Sequence, residues 1–233
     1  MRIKNASKKL LTAAAVAVGS MGAQASTTFQ LGEDVSLTPG YAMRYSYTNR
    51  EDSSANGGHP TDFHLDSGRF MLGASFSKVL KATLSTERVG GHNHFLDAFA
   101  QFEFMPEFNI WAGRLVSPSD RANMAGPYYS MGGGYWPGVS SRYGYNGGIF
   151  RGRDDGVVVW GNLADSKLGY SIGAFEGHTF GIGSLTQSQA KAASVSSSDS
   201  LMYSGRLQYD FWDAEPGYYG TGNYLGAADI LAI

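Results

Sequence analysis

Charged side chains stand at positions where they could bind or select a solute. They occupy polar positions of alternating segments, the end of one such segment, or the start of the long loop that follows it: Arg44, Arg69, Arg114, Asp120, Arg121 and Arg206. A guanidinium stays charged in any surroundings, and its planar fork matches phosphate or carboxylate. Arginines lining a passage would therefore favour anions, and these five arginines with Asp120 are the candidate pore-lining residues.

The same arginines have a second interpretation. Carboxylates also fall on the polar faces, at Asp66, Asp97, Glu103 and Asp210. Arginines paired with these acids would set the electrostatics of a passage without binding phosphate specifically. The sequence leaves both interpretations open.

Other residues with chemical potential form no recognisable catalytic or metal site. His92 and His94 could share a metal, but no third ligand is visible, so we expect solvated histidines in a short loop. His64 and Asp66 share a strand face, yet no nucleophile accompanies them. The chain has no cysteine and no Gly-x-Ser-x-Gly motif. We predict no enzyme activity, no metal and no cofactor.

The elements that position these residues are predicted to be strands. The chain of 233 residues has 32 glycines and is 13% aromatic, a composition that favours strands and turns. Apolar and polar residues alternate in most of the segments, which predicts about eight strands. These cover residues 41–48, 69–76, 81–87, 96–104, 108–116, 157–163, 167–172 and 201–211. A ninth strand is predicted to start near Asp229.

The connections between the strands mostly alternate between long and short. Tight turns are predicted near 78–79, 105–107 and 164–166, and longer links at 50–61, 89–93, 117–153 and 177–198. Short turns on one side and long loops on the other are typical of an outer-membrane barrel, whose strands alternate between lipid and water. A soluble β-sandwich also alternates, but its apolar face would be rich in Val, Ile and Leu rather than Tyr, Phe and Gly.

Several segments, in order, resemble a known family. They read EFMPEFNIWAGR at 103–114, PSDRAN at 118–123, GPYY at 126–129, GRDDGV at 152–157 and YDFWDAEPGYY at 209–219. This combination resembles bacterial porins of the phosphate-selective porin O and P type, over residues 31–233. The resemblance implies a sixteen-stranded, water-filled, usually trimeric channel in the Gram-negative outer membrane. It also implies a long loop after the fifth strand that narrows the pore.

The long loop at 117–153 matches that position in our count of strands. Its candidate constriction residues are aromatic or basic: Tyr128, Tyr129, Tyr135, Trp136, Arg142 and Arg153. Loops this long are usually functional or disordered, so we predict a folded constriction rather than a flexible surface loop.

The sequence departs from the family in two ways. It supplies about nine of the sixteen strands, and Ile233 is not the terminal aromatic residue that the family shows. We therefore expect the N-terminal part of a porin, an incomplete antiparallel transmembrane β-barrel spanning residues 26–233. The second departure concerns the ladder of arginine and lysine side chains on which the family's phosphate selectivity rests. The arginines of this ladder are only partly present in the sequence, and its lysines are weakly represented.

The first 25 residues read as a signal peptide. Basic residues precede a short apolar run at 10–18, and Ala23-Gln24-Ala25 fits a cleavage site. Removing its four basic residues leaves 14 basic and 20 acidic residues, a formal charge of -6 that does not suggest nucleic-acid binding.

The predicted function is diffusion of small hydrophilic solutes across the outer membrane of a Gram-negative bacterium, with a possible lean toward anions such as phosphate. The predicted partners are membrane lipid, the solutes and two further copies in a trimer. Two alternatives stay open. One is a soluble secreted β-sheet binding protein, and the other is a plugged outer-membrane barrel that does not conduct.

Overall fold

A computed structural model describes most of the chain as one antiparallel sheet. It describes residues 27–49, 61–89, 91–125, 152–176, 201–222 and 224–233. The predicted signal peptide and the constriction candidates Tyr128, Tyr129, Tyr135, Trp136 and Arg142 lie outside the described residues. The strands are β1 (Phe29–Gln30), β2 (Ser36–Asn49), β3 (Thr61–Ser75), β4 (Leu80–Val89), β5 (His92–Met105), β6 (Phe108–Val116), β7 (Arg153–Leu163), β8 (Leu168–Phe175) and β9 (Met202–Tyr209). One short helix, α1 (Arg121–Met124), follows β6.

Each strand pairs with the next along the chain, from β1 to β9. All eight pairings are antiparallel. The all-β, antiparallel part of the prediction is therefore confirmed. β1 and β9 do not pair with each other, so the sheet of the described residues is open.

The eight strands predicted between residues 41 and 211 are all present, but the ninth differs. The one strand of the sheet that was not predicted is the short β1 at its start. Near Asp229 the chain forms an isolated antiparallel bridge instead, between Asp210 and Ala232. Backbone hydrogen bonds of 2.9 and 3.1 Å join Tyr209 to Ile233, and a 2.8 Å bond runs from Phe211 N to Leu231 O. The final residues thus run beside the end of β9.

The tight turns lie where they were predicted, but one link that was predicted to be longer is short. Residues 76–79, 106–107 and 164–167 form the expected tight turns. The link between β4 and β5 is only two residues, because Gly91 adopts a φ of 82° that a tight hairpin can use. His92 and His94 consequently lie in β5 and not in a loop, with ring centroids 6.2 Å apart.

Alternation along the strands gives the sheet two different faces. On the open face, Phe70, Leu84 and Phe102 are exposed. On the covered face, Arg69, Ser85 and Phe99 are buried.

Among the side chains that the structure describes, the predicted alternation is interrupted at Leu96. Leu96 was expected beside Ala98 on one face. The pairing shifts between Ser85 and Thr86, so that Asp97 pairs with Ser85 and Phe95 pairs with Thr86. Leu96 is the extra residue of this bulge and is fully buried.

The hydrophobic cluster lies on the covered face. Trp111, Trp160 and Phe175 come from β6, β7 and β8, Met124 comes from α1, and Tyr218 comes from the segment after β9. Two chain segments outside the sheet therefore seal the covered face of β6–β8.

Candidate functional site

The functional candidate is the covered face, where charged side chains from distant strands meet. Arg69 lies directly opposite Glu87 in the pairing of β3 with β4, and Arg69 Nη2 is 3.3 Å from Glu87 Oε2. Both side chains are buried, at 8% and 2% exposure. Removing either partner of a buried ion pair leaves the other charge buried, which is costly.

A second ion pair joins β5 to β7. Arg153 Nε donates to Asp97 Oδ1 at 2.6 Å, and Arg153 Nη2 is 3.4 Å from Asp97 Oδ2. Ser85 Oγ, directly opposite Asp97, donates to Asp97 Oδ2 at 2.5 Å. Both oxygens of this carboxylate are therefore engaged within the protein.

A third ion pair fixes the segment after β9 to the start of the long loop. Arg121 in α1 contacts both carboxylate oxygens of Glu215, one of them at 2.9 Å. Glu215 also accepts from Thr221 N at 2.8 Å, from Gln208 Nε2 at 3.2 Å and from the hydroxyl of Tyr224. This one carboxylate organises a turn that spans the covered face.

The donors around Glu215 change its acidity. Burial alone would raise the pKa of Glu215, but the hydrogen bonds from Arg121, Tyr224 and Thr221 lower it to about 2. The same contact raises the pKa of Arg121 above its usual value. The pair is therefore ionised at any physiological pH.

Aromatic rings fill the space beneath this turn. Trp111 stacks on Phe99 with ring centroids 5.0 Å apart and meets Trp160 edge-on at 5.1 Å. Tyr218 packs 4.9 Å from Trp111, and its hydroxyl donates to the carbonyl of Val116 at 2.5 Å. Burial raises the pKa of Tyr218 well above its usual value, so this hydroxyl stays a donor.

Beside this aromatic cluster the covered face holds a cavity of about 450 Å³. Strands β2–β7, α1 and the segment after β9 contribute its lining. The lining residues are Thr38, Gly40, Arg69, Met71, Gly73, Thr83, Ser85, Asp97, Phe99, Gln101, Trp111, Val116, Asn123, Met124, Ala125, Arg153, Tyr219 and Gly220. Two of the three ion pairs described above contribute residues to this cavity.

The structure brings some of the predicted site residues together on the covered face. Arg69, Arg121 and Arg153 are ion-paired there. Arg206 shares the face and donates to Gln208 Oε1. Arg153 is the first residue of β7 and not part of the loop.

Other predicted site residues lie elsewhere. Arg114 pairs with Ala98 and Asp155, which belong to the open-face series, and is 3.5 Å from the Asp155 carboxylate. A pore-lining role for Arg114 stays a prediction. Asp120 caps α1 through a 3.1 Å hydrogen bond from Asn123 N to its carboxylate. Arg44 lies in β2, and its side chain is outside the described part of the structure.

Sequence reasoning missed several residues of this surface. Glu87 had a signal, because it continues the alternation of Lys81, Thr83 and Ser85 in β4. Glu215 and Tyr218 had none beyond the family resemblance, since their partners are 94 and 102 positions away.

A separate group of carboxylates lies near the ends of β7 and β8. Asp154, Asp155 and Glu176 place oxygen atoms within 4.8 Å of one another. Asp155 is ion-paired with Arg114, and Asp154 accepts a 2.8 Å hydrogen bond from the backbone of Asp155.

None of the helices in the described ranges has the length and apolar character needed to span a membrane. The sequence matches no protein-family model, and a search of curated proteins finds no relative.

Proposed function

We propose that this chain is a diffusion channel for small hydrophilic solutes, embedded by its strands in the outer membrane of a Gram-negative bacterium. In this proposal the open face contacts lipid and the covered face lines the water-filled passage, as in the transmembrane β-barrel that the sequence resembles. Export would follow cleavage near Ala25, and the barrel would assemble as a trimer.

The observation that carries the proposal is the distribution of polarity between the two faces. Ile172, Leu207 and Tyr203 on the open face are 64%, 69% and 75% exposed. Buried charges and amides occupy the covered face instead, beside the hydrophobic cluster of β6–β8. A soluble sheet buries its apolar face, whereas hydrocarbon reverses this preference. Each strand from β2 to β9 contributes exposed apolar side chains to the open face, which the Arg114–Asp155 pair interrupts. Soluble monomers rarely expose so extended an apolar surface.

Aromatic residues concentrate where the short turns lie, which supports a membrane interface. Exposed rings follow the turn edge of the sheet, at Phe76, Phe104, Phe108, Tyr209, Phe211 and Trp212. Aliphatic side chains such as Leu84 and Ile172 lie farther from these turns. Aromatic girdles flanking an aliphatic band are typical of outer-membrane barrels.

Strand length agrees with this proposal. β2, β3 and β5 contain 14, 15 and 14 residues. Strands of soluble sheets most often have about 5–6 residues, whereas a tilted strand needs about 9–11 residues to cross a bilayer.

The experiment that tests the proposal uses the absence of native cysteine. Single cysteines are introduced at Leu84 and Phe102 on the open face and at Thr83 and Gln101 on the covered face. The protein is reconstituted into lipid vesicles and exposed to a charged, water-soluble maleimide. We expect labelling of the covered-face pair and protection of the open-face pair, which should instead react with a lipid-soluble reagent. Equal labelling of all four by the charged reagent would refute the membrane proposal.

A plugged, non-conducting barrel is the second candidate, and one observation favours it. Residues 214–222 lie over the covered face, with Tyr218 buried among Trp111 and Trp160. Planar-bilayer recording separates the two candidates, because a diffusion channel gives steady open-channel current and a plugged barrel gives none.

A further inference from the structure

We infer that the 450 Å³ cavity on the covered face binds a neutral, hydroxyl-rich solute of the saccharide class. This inference rests on the proposed function, because the solute would be one that the channel admits. The volume lies within the range of about 300–1,000 Å³ that is usual for small-molecule sites. It accommodates a molecule the size of a mono- or disaccharide.

The charges of the cavity favour a neutral solute over an anion. Its two arginines are each held by a carboxylate, Arg69 by Glu87 and Arg153 by Asp97. A phosphate reaching either guanidinium would approach that carboxylate and displace it, leaving a buried acid without its cation. The predicted lean toward phosphate is therefore not favoured at this site.

Hydroxyl groups suit the same lining much better. A hydroxyl both donates and accepts, so it can bind a carboxylate oxygen and a guanidinium or amide N–H together. Gln101, which lines the cavity, is one neutral partner and already accepts a 3.1 Å hydrogen bond from Thr83. Adding solute hydroxyls to this surface requires no ion pair to break.

The aromatic wall supplies the second feature that a saccharide needs. Trp111 and Tyr219 both line the cavity, with ring centroids 5.8 Å apart. The negative π faces of such rings attract the positively polarised C–H groups of a sugar ring. Tyr219 is 37% exposed and supplies the accessible part of this wall, whereas Trp111 is only 5% exposed and packs against Phe99 and Tyr218.

The test is equilibrium dialysis of the full chain in detergent against radiolabelled maltose and, separately, radiolabelled phosphate. The blocking variant is Gly73→Leu, because Gly73 lines the cavity and a Cβ there meets only ordinary contacts, at 3.7 Å from Thr38 O. The matched control is Ala74→Leu, one residue away on the open face.

We expect saturable maltose binding, weaker by at least about tenfold in Gly73→Leu and unchanged in Ala74→Leu. Phosphate should bind more weakly than maltose. Absence of saturable maltose binding, tighter phosphate binding, or full maltose affinity in a folded Gly73→Leu variant would overturn the inference. Because dialysis needs no membrane, its failure is distinguishable from failure of the channel proposal in the labelling experiment.

Discussion

The two halves of the sheet stabilise their covered faces in different ways. In the N-terminal half (β2–β5), polar side chains mostly bind residues on the next strand, as Arg69 binds Glu87. Asp97 is the exception, because it binds Arg153 of β7. In the C-terminal half (β6–β9), the face is closed by chain from elsewhere, through Tyr218 and through the Arg121–Glu215 pair. The first arrangement leaves an open cavity, whereas the second fills the space with aromatic rings. A single sheet can therefore combine an open cavity with a closed surface.

Replacing Tyr218 with alanine should have the largest effect and should separate the two halves. The variant loses a buried ring and the hydrogen bond to Val116, which we expect to lower the free energy of unfolding by about 3–5 kcal/mol. Urea unfolding in detergent micelles measures the loss. Hydrogen exchange should increase in β6–β8 and change little in β3–β4.

The control for this prediction is Tyr203→Ala, on the open face. Tyr203 is 75% exposed, so its removal should cost little in detergent. Equal acceleration of hydrogen exchange in both halves of Tyr218→Ala would show that the sheet opens as one unit. That result would contradict separate stabilisation of the two halves.

Glu87→Gln should have the next largest effect, confined to the N-terminal half. The change leaves the buried Arg69 guanidinium without its carboxylate, and we expect a loss of about 2–3 kcal/mol. Exchange should accelerate in β3 and β4, where the pair is formed. The matched variant is Thr86→Val, next to Glu87 on the opposite side of β4, which should have a much smaller effect. Undiminished stability of Glu87→Gln would mean that the pair contributes nothing net.

Arg121→Ala should weaken the closure of the C-terminal half by about 1–2 kcal/mol. The Glu215 side chain is only 4% exposed, so breaking the pair leaves a buried carboxylate without its cation. Thr221, Tyr224 and Gln208 still donate hydrogen bonds to it, which limits the loss. Limited proteolysis should cleave more rapidly within residues 214–224. Arg88→Ala, an exposed arginine of β4, serves as the control and should leave cleavage unchanged.

The same carboxylate predicts an acid transition of the C-terminal half. The pKa of Glu215 is lowered from 4.5 to about 2, so the folded state binds a proton less readily than the unfolded state. Its contribution to stability is complete above the unfolded value and is lost as the pH falls from about 5 toward 2. Unfolding measured across this range should show a decline that is smaller in Glu215→Gln. An identical decline in that variant would assign the transition to other acids.

Much of the sheet was predictable because its information is local. Alternation along the strands and short turns identify eight strands, and the series Lys81, Thr83, Ser85 assigns a face without knowledge of any partner. Pairs such as Arg69–Glu87 then follow from register alone. The bulge at Leu96 and the two-residue link at Gly91 were missed because each depends on one residue's backbone conformation.

The closure of the C-terminal half was not predictable from pattern. Glu215 and Tyr218 lie in a segment without alternation, and their partners come from β6 and α1. Alternation along the strand could not assign Arg114 to a face either. Arg114 lies near the end of β6, next to Gly113, whose φ is 129°. Positions at strand ends and in long connections depend on packing that no local periodicity encodes.

Lys81→Ala should have the smallest effect, and it tests whether the N-terminal half is solvated. Lys81 and Glu103 form an ion pair across β4 and β5, but their side chains are 40% and 23% exposed. Water competes for such a pair, so we expect a loss of no more than about 0.5 kcal/mol in the free energy of unfolding. Adding salt to the wild-type protein should have a comparably small effect on this pair. A loss as large as that of Glu87→Gln would mean that the surface is dry, and the covered face of β2–β5 would then be closed like that of β6–β9.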